Sequence, residues 1–379
     1  LRACRAPRRQ RRDGEQRVRL TMTLGRYFGM RFLVTAVAVF AGVVFLVALL
    51  DAVELLRRTA ANENATAFLV MKLSFFRVPI TAERIMPFCV LIGAMSCYLN
   101  LSRRNELVIA RAAGVSAWEF VAPAVIVALC LGIFATLVYN PVAASLQERA
   151  KRFEAEIFGA REFGQQESGF WVRQRSTDGQ AIINARNSRN QGLSLNGVTV
   201  FTFDNQGRFQ DRIEAKSAVL KDGAWELAEA RVYPNDAPPS EHKTYPLKTN
   251  ITREQVRETF STPETLSLWE LPEYIRLADN AGLAAAGYRL QFHKLISRPF
   301  QLASMVLLAA AFSLRFARMG GVQKMVMGGV LSGFLLYVLS KITEDMSKTD
   351  LLSPVTAAWI PVLIGGLIGF LVLLYQEDG

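Results

Sequence analysis

Imidazole and thiol chemistry is scarce in this 379-residue chain, which carries two histidines and four cysteines. His242 follows the Pro238-Pro239 pair and His293 sits at the mouth of an apolar run, and neither belongs to an HExxH pair. A solvent-facing or interfacial place suits both better than catalysis. There is no GxSxG nucleophile elbow, and Gly320-Gly321-Val322-Gln323-Lys324 lacks the spacing and the hydroxyl of a P-loop phosphate cradle. Cys4 lies in a basic tail, while Cys89, Cys97 and Cys130 fall inside apolar runs. The polar middle therefore has no disulfide framework, and no CxxC or Cys/His cluster points to a metal. The inventory gives a weak signal for an enzyme and predicts a non-catalytic chain that binds no metal or cofactor of its own and hydrolyses no ATP through a P-loop.

The most informative polar stretch is Arg103-Arg104-Asn105-Glu106-Leu107-Val108-Ile109-Ala110-Arg111-Ala112-Ala113-Gly114-Val115-Ser116. Asn105 is suited to cap a helix start, Glu106 falls in the first turn where the helix dipole favours a carboxylate, and Gly114 can end the helix. Leu107, Val108, Ile109 and Ala112 would form its apolar face. Two readings fit these residues. One is an interfacial connector anchored by Arg103 and Arg104. The other is a coupling helix that docks into a cytoplasmic motor, with Glu106 meeting a basic residue there.

The elements around this stretch are mostly apolar. Hydrophobic residues make up 51% of the chain, charged residues 20%, and the mean hydropathy is +0.20. That excludes a disordered chain and disfavours a purely soluble enzyme. Phe32–Leu50 is 19 residues without a charge, enough to span about 28 Å of hydrocarbon as a helix. Ile85–Leu101, Phe120–Tyr139, Pro299–Leu314, Met325–Ser340 and Pro354–Tyr375 are further runs, giving six spans in a three-plus-three arrangement. Flanking residues such as His293–Arg298 and Lys341 complete the shorter ones.

Of the formal charge of +11, residues 1–31 hold +8, from ten arginines against Asp13 and Glu15. The remainder is nearly balanced, so nucleic acid is not the expected partner. Leu1–Thr21 reads as an extension ahead of a start at Met22. The N-terminal flank, Ser102–Glu119 and Arg315–Lys324 are rich in Arg and Lys and share a side if there are six spans, which places them and both termini in the cytoplasm.

Roughly Arg161–Phe260 then lies outside the membrane and alternates like strands: Gly169–Gln174, Gln180–Ala185, Leu193–Phe203, Arg208–Leu220, Ala224–Tyr233 and Lys243–Leu247. Turn formers punctuate them at Thr177-Asp178-Gly179, Asn205-Gln206-Gly207 and Lys221-Asp222-Gly223. A sandwich, a jelly roll or a barrel would fit. The expected division is a basic segment over 1–31, three spans over 32–140 with the coupling segment at about 103–114, and a helical extension over 141–160. A β domain over 161–260, a connector over 261–292 and three more spans over 293–379 follow.

Five landmarks in order sharpen this: the 103–116 stretch, Gly169-Phe170-Trp171-Val172, Trp225-Glu226-Leu227, Lys248-Thr249-Asn250, and Gly287-Tyr288-Arg289-Leu290 ahead of Lys294 and Pro299. With the topology, they make the chain from Met22 onward resemble the LptF/LptG permease family of the lipopolysaccharide exporter, on its LptG side. The resemblance implies an α-helical inner-membrane subunit with an inserted periplasmic jelly-roll-like domain. Its partners would be the paralogous permease LptF, a cytoplasmic LptB ATPase dimer that holds ATP and Mg, LptC, and the periplasmic bridge LptA.

Lipopolysaccharide would enter a cavity between the two permeases laterally, past the first and fifth spans, and be squeezed upward. Glu106, with Asn105, Leu107, Arg111 and Gly114, would couple to the ATPase. Arg57 and Arg58, and less directly Arg149, Lys151 and Arg152, would meet the lipid's phosphates, although headgroup snorkelling or helix solvation accounts for the same side chains. One departure stands out: some family members carry a lysine in the outer half of the first span, whereas Phe32–Leu50 has none and Asp51, Glu54, Arg57 and Arg58 carry charge farther out. Such a chain reads phosphates higher in the interface or takes a less phosphorylated substrate. The rival readings are a membrane-anchored periplasmic adaptor and a secondary transporter; the latter has only Lys341, Glu344 and Asp345 as an ionisable cluster.

Overall fold

The computed structural model describes residues 6–59, 67–106, 109, 112, 114–158, 170–176, 179–189, 193–204, 206, 208–221, 223–235, 238–249, 263–280, 285–317 and 322–377. Helix α1 is Ala6–Thr59 and α2 is Ala67–Arg103. Helix α3, Ala117–Phe134, passes through a π-helical turn at Ala135–Tyr139 into α4, Asn140–Phe158. Strands β1 (Phe170–Ser176), β2 (Gly179–Arg189), β3 (Ser194–Phe203), β4 (Phe209–Lys221), β5 (Ala224–Pro234) and β6 (Ser240–Lys248) follow. Helices α5 (Leu271–Asn280), α6 (Ala286–Ala317), α7 (Val322–Lys348) and α8 (Pro354–Glu377) complete the order.

Among the described residues six segments are long and apolar enough to cross a membrane: Thr23–Thr59, Phe68–Arg103, Ala117–Lys151, Ala286–Leu314, Val326–Lys348 and Pro354–Tyr375. Three precede the strands and three follow. Each of the first five is longer than its apolar run, because the helix continues through charges at which hydropathy stops. A helix is held by backbone hydrogen bonds that do not depend on side-chain polarity, so a charge ends the apolar run without ending the helix. The stretch 261–292, expected as a connector, contains α5 and the first turns of α6.

The chain divides into two compact units. The first, Leu1–Thr59, Arg77–Ala143 and Phe292–Gly379, is the helical one. Its core contains Phe32, Leu91, Leu101, Phe120, Leu302 and Val306. Small residues let helices approach closely. A Cβ on Gly93 would lie 2.7 Å from the Ala36 Cα, bringing α2 against α1, and one on Gly132 would overlap the Pro299 Cα, bringing α3 against α6. Helix α1 joins that core through Phe28, Phe32 and Ala36, yet only 6% of its most apolar window is buried.

The second unit, Ala60–Phe76 and Ala144–Gln291, contains the sheet. Among the described residues the inserted all-β part is a six-stranded antiparallel meander in sequence order, β1 through β6. Its core face is built from Ile183, Leu195, Val198, Val200, Ile213, Leu220, Trp225, Leu227 and Val232. The turn between β3 and β4 is held by Asp204, whose Oδ1 accepts from the backbone N–H groups of Gln206 and Arg208, both at 2.8 Å.

A crease crosses the sheet. Arg186, Gly197, Lys216, Glu229 and Lys243 face one another from β2 to β6, and each drops out of the backbone pairing with its neighbours while the register continues beyond it. On β3 the core residues are Leu195, then Val198 and Val200; on β4 Ile213 and Ala215, then Ala218 and Leu220; on β5 Trp225 and Leu227, then Ala230 and Val232. The period of two slips by one at the crease, with two successive residues turned off the core. Gly197 (φ 62°) and Glu229 (φ 52°) absorb the turn in the left-handed region.

Candidate functional site

Helix α2 ends in a tightened turn: the Arg104 N–H bonds the Asn100 carbonyl at 3.1 Å and the Asn105 N–H the Ser102 carbonyl at 3.0 Å. Asn105 then takes φ 59°, a region asparagine enters more readily than most residues. Its carbonyl accepts from the Ile109 N–H at 2.9 Å. Asn105 thus ends α2 in a left-handed conformation and also supplies the first acceptor of the next helical turn, a double role that differs from the extended backbone of an ordinary cap. At the far end Gly114 has φ 81° with nothing near its would-be Cβ, so conformation and not crowding favours glycine there. Ile109 is two-thirds exposed. Leu107 and Arg111 lie outside the described residues.

Glu106 is held within the chain. Arg31 Nη1 donates to its two carboxylate oxygens at 3.0 and 3.1 Å, and the Tyr27 hydroxyl donates to Oε2 at 3.1 Å. Arg31 also bonds the Tyr27 hydroxyl, and its guanidinium lies over that ring, 5.5 Å from the centroid. Tyr27 and Arg31, four apart on α1, share a helix face.

The other cations named from sequence fall into two groups. Arg57 and Arg58 end α1 with exposed heads, both tied to Glu54: Arg58 Nε at 2.9 Å and Arg57 Nε at 3.3 Å. A third contact of the same region joins Asp51 to Arg77 of α2 at 4.0 Å. Arg149 and Lys151 sit on α4, the first exposed and the second half-buried; the side chain of Arg152 lies outside the described residues. On that helix Phe153 stacks on Phe76 at 5.7 Å, and Lys72 Nζ lies 4.6 Å from the Phe153 ring centre.

Of two charged clusters, the first escapes a reading by hydropathy and the second extends the Lys341, Glu344 and Asp345 group named from sequence. In the first, Arg298 of α6 donates to the Glu83 carboxylate of α2, and Asn140 Nδ2 donates to the same carboxylate at 3.3 and 3.2 Å; all three residues are buried. The π turn lies immediately before Asn140, and within it the Thr136 hydroxyl donates to the Leu295 carbonyl at 3.0 Å. The apolar runs begin at Ile85 and Pro299, just past Glu83 and Arg298, so both charges look like flanks. Opposite charges at matching ends of two runs were the available signal. In the second cluster Glu344 of α7 accepts from Lys294 of α6 at 2.9 Å and pairs with Lys348 at 3.0 Å, while Lys341 and Lys348 each reach Asp345 at 3.5 Å. These acids are neutralised locally and do not form a lone carboxylate in mid-span.

Among the described residues no group of three His, Cys, Asp or Glu could hold a metal. His242 sits beside Ser240 Oγ at 3.1 Å, on an open groove of about 620 Å³ also lined by Lys216, Glu229, Arg231, Glu241 and Lys243. Lys216–Glu229 and Arg231–Glu241 pairs neutralise most of its charge.

Comparison with known proteins bears on this arrangement as a whole. The model of the lipopolysaccharide export system permease LptF/LptG family matches residues 26–375. The lipopolysaccharide export system permease protein LptG of Escherichia coli (strain K12) is 22% identical over 360 residues, covering 93% of this chain and 98% of that protein. That of Haemophilus influenzae (strain ATCC 51907 / DSM 11121 / KW20 / Rd) is 24% identical over 349 residues, covering 90% and 95%. Since the match runs through all six spans and the sheet inserted between them, the chain belongs to the LptF/LptG permease family.

Proposed function

We infer that the chain is a non-catalytic permease subunit of an ATP-driven lipopolysaccharide exporter in the inner membrane. The observation that carries this reading is the family match over six spans with an inserted sheet. In this reading the Arg-rich ends, including the 103–116 segment, face the cytoplasm, and the sheet stands in the periplasm. A paralogous LptF subunit completes the path, and the sparsely buried α1 leaves an apolar surface of the kind such a partner or the substrate's acyl chains would cover. An LptB ATPase pair supplies ATP hydrolysis and receives the 103–116 segment, with Asn105, Glu106, Leu107, Arg111 and Gly114 at the junction. Lipopolysaccharide phosphates meet Arg57 and Arg58 at the outer end of α1, then Arg149, Lys151 and Arg152, before transfer by way of LptC to LptA.

Reconstitution of this chain with those subunits in proteoliposomes tests the function: ATP-dependent passage of lipopolysaccharide to the periplasmic bridge protein is expected. A folded, ATP-hydrolysing complex that moves none would overturn it. A photo-crosslinking residue at Arg57 or Arg58 should give a lipopolysaccharide adduct that responds to ATPase activity. An active complex with no adduct at either position removes the phosphate assignment.

A further inference from the structure

The Glu106 carboxylate assigned above to the ATPase junction also faces inward, onto α1. Three hydrogen bonds from Arg31 and Tyr27 fill most of the four lone-pair sites of that carboxylate. The ion pair is also partly sheltered, with side-chain exposures of 20% for Arg31 and 29% for Glu106, so solvent and salt weaken it less than a surface pair.

Both donors stand on α1, which is helical without interruption from Ala6 to Thr59 and has no proline in Thr23–Thr59. Arg31 and Arg57 are thereby linked by one rod of about 39 Å. Phe28, Phe32 and Ala36 seat α1 in the helical core on either side of Arg31, whereas its most apolar window is only 6% buried, so a pull on the fastened end is passed to a stretch with fewer contacts to break. The segment that carries Glu106 is bounded by left-handed residues at both ends, Asn105 and Gly114, and exposes Ile109 between them. These are the parts of a transmission: a bounded segment with an apolar contact point, a charged fastening, and a stiff helix that is packed beside the fastening and sparsely buried in its most apolar stretch.

We propose that Tyr27, Arg31 and Glu106 form a clamp that carries movement of the 104–116 segment into the first span, so that the ATPase acts on α1 through this chain's own ion pair. The proposal rests on the exporter reading above. Arg31 and Tyr27 are positioning residues in it; they touch neither nucleotide nor lipid.

The test uses the complete exporter in proteoliposomes and reads lipopolysaccharide moved per ATP hydrolysed. Arg31→Ala should lower that ratio about fivefold or more, while hydrolysis continues. Arg31→Lys, which keeps a cation, should stay close to the parent ratio, and the exchanged pair Arg31→Glu with Glu106→Arg should recover most of what either single change loses. A folded Arg31→Ala complex with the parent ratio, beside a collapse in Glu106→Gln, would overturn the clamp, because Glu106 would then be serving the ATPase directly. If Arg31→Ala does not assemble, Tyr27→Phe answers in its place: a reduced ratio supports the clamp and an unchanged one overturns it. A parent complex that hydrolyses ATP but exports nothing would instead overturn the exporter reading, and the transmission role with it.

Discussion

Arg298 donates through Nη1 to the backbone carbonyl of Glu83 at 2.7 Å and through Nη2 to the carboxylate of the same residue at 3.2 Å. One guanidinium thereby satisfies main chain and side chain of the opposing helix at a place that hides both from solvent. Asn140 takes up further acceptor capacity of that carboxylate. A buried pair of this kind contributes little net stability compared with apolar replacement, but losing one member strands the other.

Arg298→Ala should therefore destabilise the helical unit by about 3–5 kcal/mol, seen as a lower unfolding temperature of the detergent-solubilised protein. The double change Glu83→Leu with Arg298→Met should recover most of that loss. If Arg298→Ala melts like the parent, the pair is not bearing on stability.

Gly114 and Gly132 should respond differently to the same substitution. Gly114→Ala has open space and pays only for its left-handed backbone, about 1–2 kcal/mol. Gly132→Ala must push α3 off the Pro299 backbone, and the overpacking should cost about 1–3 kcal/mol or more. The two are told apart by where amide exchange rises: at the 103–116 segment in the first, and through α3 and α6 in the second.

The β3–β4 turn should loosen in acid. Hydrogen bonds from the Arg208 N–H above all, then from its side chain and the Gln206 N–H, hold the Asp204 carboxyl below the usual aspartate range. Its contribution is then fully present above the unfolded aspartate value, near pH 4, and is lost as pH falls through the lower folded value. Hydrogen exchange of peptides covering residues 203–209, corrected for intrinsic rates, should show protection at pH 6 that fades toward pH 3. Asp204→Asn should remove that pH dependence.

Glu229→Gly should stabilise the sheet by about 1 kcal/mol, since glycine occupies φ 52° without the steric cost borne by glutamate, and the exposed Lys216 pair that it removes is worth little. Gly197→Ala should do the opposite, because a Cβ there is strained at φ 62° and lies 3.1 Å from the Arg186 side chain. Limited proteolysis of the β domain in urea ranks the three proteins.

Strands and span number were legible because they are written in local patterns. Alternation with Asn205-Gln206-Gly207 and Lys221-Asp222-Gly223 between runs located the hairpins, and six apolar runs located the spans. The charged pairings were not legible, since Glu83 meets Arg298 and Arg31 meets Glu106 across long separations that no local pattern encodes. Hydropathy stops at such residues, although the helices continue through them. The left-handed turn at Asn105 was hidden for a related reason, as asparagine serves equally as a cap. The crease left one trace, the three-residue step from Leu195 to Val198 within an otherwise alternating strand.

That crease also bears on how the sheet meets its surroundings. Among the described strands β6 is terminal in the sheet, and a long, straight terminal strand offers its outer row of N–H and C=O groups to any extended chain that comes by. Here the crease reaches β6 at Lys243, and three residues later Pro246 has no N–H to give. What remains is short stretches in place of one continuous template, with a lysine at the break. Strand addition on that side is confined to a partner shaped to the bend, and indiscriminate self-association is discouraged.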